Sequence, residues 1–239
     1  ESITSIGESA FADCLNLENI IIPNSVTSIG DSAFTGCSSL TNIIIPNSVT
    51  SIGIEPFAGC ISLESIYIGN GITRIGSRWF ADCSSLREVE GCNAVFLLEA
   101  QAFEGCTALT SFTIPEKVDF IDSGTFSNCT ALESITIPTS TTRIGDRAFY
   151  NCTALESILI PGEVTSIGFY AFENCTTLTS IVIPENVITI DFKAFYNTNI
   201  KSIVLPKNIT NIGESAFITK GDLDIYCKAE TPPSVYYYV

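Results

Sequence analysis

The chain has no histidine and no methionine, a single tryptophan, and only 11 lysines and arginines among its 239 residues. Without histidine there is no Ser-His-Asp triad, Cys-His pair, imidazole proton relay or His-based metal cluster, so most hydrolase mechanisms lose a part. The few basic residues face 26 aspartates and glutamates, for a net charge of −15. That balance opposes the phosphate-neutralising contacts that dominate nucleic-acid affinity, and it opposes docking on anionic lipid. No apolar run approaches the ~20 residues of a membrane-spanning helix, so no direct membrane insertion is expected. Gly-x-Ser-x-Gly, phosphate-loop and dinucleotide fingerprints are missing, and no Cys-x-x-Cys pair offers a metal site. Neither a cofactor nor a catalytic residue is therefore expected. What is present is 46% hydrophobic and 15% charged, enough for a large core and incompatible with disorder.

Self-comparison reveals a repeat. Phenylalanine returns every 23 residues at Phe11, Phe34, Phe57, Phe80, Phe103, Phe126, Phe149, Phe172 and Phe195, then after 22 at Phe217, which defines ten units. Proline keeps the same spacing at Pro23, Pro46, Pro115, Pro138, Pro161, Pro184 and, one residue early, Pro206, with Gly69 and Cys92 in the two gaps. One unit reads, from Leu40, Leu-x-x-Ile-x-Ile-Pro-x-x-Val-x-x-Ile-Gly-x-x-Ala/Pro-Phe-x-x-Cys-x-x. The β-branched alternation ending at proline predicts a short strand, because proline cannot donate to a ladder. Val49-x-x-Ile52-Gly53 predicts a second extended piece, and Ala33-Phe34-x-x-Cys37-x-x-Leu40 has the spacing of a single helical or 3₁₀ turn. A unit this small cannot bury its own apolar face, so the units must stack on one another. The expected architecture is an α/β solenoid of about ten coils, with one parallel strand per coil and a stack on the order of 45 Å long. Its expected span is residues 1–228, with 229–239 a C-terminal extension, a cap or the start of another module.

The combination Cys-x-x-Leu-x-x-Ile-x-Ile-Pro-x-x-Val-x-x-Ile-Gly-x-x-Ala-Phe resembles the 23-residue leucine-rich repeat of BspA-like bacterial surface proteins, over nearly the whole chain. The resemblance implies a curved, right-handed repeat domain on a secreted or surface-anchored protein, engaged in adhesion to host proteins or other cells, and it implies no enzyme. A protein or glycan ligand is expected, with host extracellular matrix among the candidates. A structural stalk carrying another domain is the alternative. The chain begins mid-pattern at Glu1 with no leader, so an export signal and anchor are expected outside it.

Eight of the ten cysteines, from Cys14 to Cys175, share one column at the repeat period. Equivalent residues of adjacent coils have parallel Cα–Cβ vectors about 4.8 Å apart, whereas a disulfide needs Cβ atoms about 3.8 Å apart and suitably turned. Cysteine as a small buried hydrophobe is the expected role, and Thr198 in the same column suits it. Cys92 and Cys227 lie off the column, about six coils apart, and are not expected to pair.

The fifth unit departs most from the pattern: Val89-Glu90-Gly91-Cys92 replaces Ile-x-Ile-Pro, and Glu99 stands where glycine or aspartate is usual. A local irregularity is expected there, either simple drift or a bend or contact around Glu88, Glu90 and Cys92.

Function is expected in the variable columns. On the strand, the outward column reads Ile21, Ile44, Tyr67, Glu90, Thr113, Thr136, Leu159, Val182 and Val204, beside a small polar column running from Asn19 to Ser202. Ile21, Ile44, Tyr67, Leu159 and Val182 are candidate ligand-binding residues, because an exposed apolar stripe marks a contact surface. Same-face packing of β-branched residues explains the column equally. A second candidate is aromatic: Tyr150, Phe169, Tyr170, Phe192 and Tyr196 are expected to cluster near the Ala-Phe turn of units seven to nine, as a protein hot spot, a sugar-stacking platform, or packing between coils. Glu18, Glu64, Glu133 and Glu156 form an acidic column, read as a solvated edge with weak calcium attraction as the alternative. Asn-x-Thr sequons stand at Asn128, Asn151, Asn174 and Asn208.

Overall fold

A computed structural model of the chain describes residues 2–231 and 233–236; Pro232 and residues 237–239, within the expected extension, lie outside the described residues. The chain winds into a parallel β-solenoid in which most coils pass through two short strands. The first is typified by Asn42–Ile45, the second by Ser51–Ile52. The segment holding Ile21 joins its neighbour by a single bridge, Asn19 to Asn42. In the first strand Ile43 and Ile45 are buried while Ile44 between them is 63% exposed, so the two-residue alternation turns one face to the core and one to solvent. Pairing between coils follows the repeat: Ile43 lies opposite Ile66 and Ile66 opposite Val89, and likewise Ile29 opposite Ile52. A further strand, Ser234–Tyr236, pairs in parallel with Asn211–Gly213.

The α/β expectation does not hold: the described residues contain no α-helix. The Ala-Phe-x-x-Cys segment is a run of tight turns rather than a helical turn. Thr35 N–H donates to Ser32 O (3.1 Å) and Cys37 N–H to Phe34 O (3.2 Å), whereas Ser32, Phe34 and Gly36 N–H each donate across to the next coil at 2.8 Å. Alternate amides thus serve the turn and the stack. Adjacent phenylalanine rings on this side are 5.2–5.8 Å apart, about half of the ~10 Å that a helix with its side chains occupies. The stacking distance excludes a helix here. Two turn positions per coil are left-handed. One, at Asp13, Gly36, Gly59, Asp82, Gly105, Asn128, Asn151, Asn174 and Asn197, carries only glycine, asparagine or aspartate, the residues that tolerate φ near +60°.

Inside, the phenylalanines form one continuous file from Phe11 to Phe217. Neighbouring rings lie within 22° of parallel. Beside it runs the cysteine file, whose thiols are all free. Each reaches back across the stack: Cys37 Sγ–H donates to Phe11 O at 3.0 Å, and Cys60, Cys83, Cys106, Cys129, Cys152 and Cys175 repeat the contact at 3.1–3.2 Å. Cysteine is therefore small enough for the file and also gives a second hydrogen bond to a carbonyl that already accepts from an amide of its own turn. At Thr198 the hydroxyl instead donates to Phe195 O of its own coil (2.9 Å). Burial pushes the Cys60 and Cys92 thiols up to about 12 and raises those of Cys83, Cys106 and Cys152 well above their usual value.

The single tryptophan breaks one ladder. Trp79 occupies the small-residue position before phenylalanine, is fully buried, and donates its indole N–H to Gly53 O at 2.8 Å. The second-strand sheet divides at this point, between Ser51–Ile52 and Arg74–Ile75.

Phe126→Ala, in the middle of the file, is expected to cost about 3–5 kcal/mol in chemical denaturation. Phe11→Ala, at a half-buried end, should cost clearly less. With buried thiols, the folded chain keeps protons that the unfolded chain releases above the ordinary value of 9.0. Stability is therefore full below about pH 9 and falls as pH rises toward 12, by roughly 1.4 kcal/mol per pH unit for each such thiol. Denaturant unfolding across that range should show the slope, and Cys60→Ala should reduce it. A thiol reagent at neutral pH should label exposed Cys227 fully and Cys14 partly, and reach the other eight only on unfolding.

Candidate functional site

The core uses the inward residues, and buried side-chain oxygen and nitrogen atoms among the described residues all have partners. Individual chemistry is left to the outside. On the strand face, Ile21 is 91% exposed, Leu159 77% and Val182 73%, while Ile44, Tyr67 and Val204 are less open. They do not form one stripe. Exposed Glu90, Thr113 and Thr136 separate Ile21, Ile44 and Tyr67 from Leu159, Val182 and Val204. The second group continues to exposed Tyr226, which pairs opposite Val204. Sequence reading missed Tyr226 because the last unit is one residue short; carrying the column on at a spacing of 22 finds it.

The turn-side aromatics come together only in part. Tyr170 and Phe192 meet edge to face at 5.3 Å. Cations cover their faces: the Arg147 guanidinium lies 4.9 Å from the Tyr170 ring centre, and Lys193 Nζ lies 5.2 Å from Phe192 and 4.8 Å from Tyr196. Phe169 is half-buried in the same column as Phe192, with its N–H donating to Asp146 Oδ1 at 3.0 Å. Tyr150 is half-buried and makes none of these ring contacts. Burial raises the Glu173 carboxyl, and Lys193 and Arg147 pull it down. Rings that each carry a cation over one face make a polar-aromatic patch. Arg147, Tyr170 and Lys193 share one left-handed turn position in successive coils, and that stacking of unlike side chains is the signal sequence reading passed over.

The fifth unit opens a cleft. First-strand pairing runs through Ser65–Ile68 to Glu88–Gly91, stops, and resumes between Ser111–Thr113 and Ser134–Thr136. Between the parted strands lies a cleft of about 570 Å³. Its floor includes Val95, Phe112 and Ile114, and its rim Glu88, Glu90 and Glu116 with Arg87 and Lys117. The expected irregularity is therefore a break in the sheet. Glu99 keeps the turn chemistry that its position seemed to lose: its carboxylate accepts from Ser77 N–H and from Arg74, both at 3.0 Å.

The remaining candidates have local roles. Asn128, Asn151 and Asn174 are the left-handed turn residues, and amides bond between coils from Asn151 to Asn128 (3.1 Å) and from Asn197 to Asn174 (2.7 Å). Asn208 donates to Glu185 O at 3.0 Å. Of the acidic column, all exposed, only Glu133 and Glu156 stand in consecutive coils. Among the described residues, no three or more of His, Cys, Asp and Glu gather as metal ligands, and no helix is long and apolar enough to cross a membrane.

The model of the BspA type leucine rich repeat region matches the chain in six copies, over residues 4–106 and 96–223. Among curated proteins none matches. Of solved structures, a leucine-rich repeat protein from Bacteroides ovatus is 23% identical with a TM-score of 0.59, over 94% of this chain and 75% of that one. The Treponema pallidum leucine rich repeat protein is 25% identical, TM-score 0.52, over 78% of each. The pneumococcal vaccine antigen PcpA is 19% identical, TM-score 0.60, over 96% of this chain and 67% of that one.

Replacing Arg147 or Lys193 by alanine should each cost about 0.5–1 kcal/mol in denaturant unfolding. Tyr170→Ala combined with Arg147→Ala should cost less than the sum of the two single changes, since both remove one contact.

Proposed function

Because the chain belongs to the BspA-type leucine-rich repeat family, we propose that it is a non-enzymatic binding module of a bacterial surface protein, recognising a protein of a host or of another cell. The observation that carries this reading is the pair of exposed apolar groups on the strand face, Ile21 with Ile44 and Tyr67, and Leu159 with Val182, Val204 and Tyr226. The most open of them, Ile21, Leu159 and Val182, contribute little to the core, whereas contact surfaces gather such residues with a polar surround. Glu90, Thr113 and Thr136 between them, and the serines beside them, supply that surround. A protein partner suits separated apolar groups better than a glycan does, because the aromatic faces of Tyr170, Phe192 and Tyr196 are already engaged by cations.

Leu159→Ser with Val182→Ser, and Ile21→Ser with Ile44→Ser, should leave the melting temperature within a few degrees of the parent. At least one pair should lower capture of immobilised host extracellular-matrix proteins or of whole cells tenfold or more. Capture unchanged in both pairs would favour a stalk that holds another domain away from the surface.

A further inference from the structure

The break at the fifth unit has a local cause and a definite chemistry. In the coils before and after, up to Ile183, the last inward residue of the first strand is isoleucine, as at Ile45 and Ile68, and proline or glycine follows. Here Gly91 takes the isoleucine position and Cys92 the proline position. Both are left-handed, with φ +87° and +58°, and Cys92 N–H donates to Ile68 O at 3.3 Å. A Cβ on Gly91 would collide with that same carbonyl, so the backbone presses against the preceding coil. Gly91 brings no side chain to a position where other coils bury isoleucine, and only the smaller Cys92 thiol is buried beside it. Elsewhere in the first-strand sheet, where pairing lapses, as between Ser180–Val182 and Ser202–Leu205, the strands stay side by side; across the fifth unit they part.

Two strand edges thus face each other across the opening. Each is paired on its far side only, a condition that protein sheets ordinarily cover or blunt. We propose that this opening receives an extended peptide segment of a partner protein as an added β-strand, with basic side chains outward and an apolar side chain inward. This rests on the reading of the chain as a binding module and names where and what it binds. Backbone amides and carbonyls of the two edges would supply the main-chain hydrogen bonds of strand addition. Alternation sets the side-chain pattern. Glu88 and Glu90 both point outward, and their row continues on the far strand as Ser111 and Thr113, so outward residues of an inserted strand would lie beside two carboxylates. The residue between them would turn inward onto Phe112, Ile114 and Val95, beside half-buried Val89. The required sequence is therefore basic-apolar-basic, and the net charge of −15 favours its approach.

The test uses the full chain and a fluorescein-labelled nine-residue peptide with lysine and valine alternating, followed by anisotropy at low salt. Two control peptides carry the same composition in blocks of lysine and valine, and the alternating order with every second backbone amide N-methylated. The alternating peptide should bind at least tenfold more tightly than either control and protect residues 88–92 and 111–115 from hydrogen exchange. Glu88→Lys with Glu90→Lys, both at exposed positions, should weaken it tenfold or more. Gly91→Ile with Cys92→Pro, which restores the pattern of the other coils, should abolish binding and close the opening. If that variant fails to fold, the charge-reversal pair and the methylated peptide still decide the matter. Equal binding of the methylated peptide, unchanged binding by the charge-reversed chain, or no binding of the alternating peptide would each overturn the proposal. Host-protein capture lost on changing Leu159 and Val182 but kept on changing Glu88 and Glu90 would overturn the slot alone and leave the binding module standing.

Discussion

Through most of the described repeat a residue has a counterpart one coil away, close enough to touch, and whatever occupies a position must be compatible with its counterparts above and below. The phenylalanine file shows the rule in its apolar form, with rings stacked 5.2–5.8 Å apart from end to end. The thiols show it in polar form, each donating to a carbonyl of the coil before. A position that holds charge gains from avoiding a like neighbour, because like charges directly opposite in paired strands are destabilising, and Glu133 with Glu156 is an exception on an exposed edge. Glu18 and Glu64 are accordingly separated by Thr41, and Arg78 sits between Glu55 (2.7 Å) and Glu104 (3.1 Å). The same rule restricts glycine: a Cβ at Gly30 would lie 2.5 Å from the backbone nitrogen of Glu8 in the coil before.

Self-compatibility also explains where individuality arises. Three departures from the repeat have three different outcomes. Trp79 enters a small-residue file and splits one ladder, its indole N–H meets Gly53 O, and a smaller pocket of about 250 Å³ is left between Ser51–Ile52 and Arg74–Ile75. Phe169, Tyr170 and Phe192 replace small or polar residues at the turn, and for Tyr170 and Phe192 neighbouring cations close over the rings. Gly91 removes a core side chain, only the smaller Cys92 thiol is buried beside it, and the strand edges stay unpaired with a cleft between them. Trp79 and Gly91 both leave strand edges unpaired, but only the larger opening at the fifth unit lies beside the outward carboxylates Glu88 and Glu90. The outward apolar groups obey the rule without being needed by it, since Ile21 and Leu159 contribute little to the interior. Cleft and apolar groups lie on the same strand face, so a single extended partner can engage both.

Much of this was legible beforehand. Ten returns of phenylalanine at one spacing demanded a stack, and the alternation ending at proline located the first strands, as Asn42–Ile45 before Pro46 shows. The cysteine role followed from spacing alone, because the distance between coils is set by the sheet. The helical turn was misread because Ala-Phe-x-x-Cys carries apolar residues three apart, a spacing shared by a helix and by two consecutive tight turns. The deciding signal lay in the columns containing Gly36, Asp82 and Asn128, whose common property is tolerance of a left-handed backbone. The sequons at Asn128, Asn151 and Asn174 are the same turn requirement seen from another side.

By itself, the sequence determined the architecture, the coil register, the composition of the core and the absence of histidine chemistry, because a repeat constrains each position through its own copies and needs no distant information. Only the tertiary structure decided that the aromatic faces are capped by Arg147 and Lys193, that the outward apolar column falls into two groups extending to Tyr226, and that the fifth unit opens instead of merely bending. Each of these depends on how unlike side chains from successive coils share the same space. That is a property of contacts between coils, which the period of a sequence does not contain.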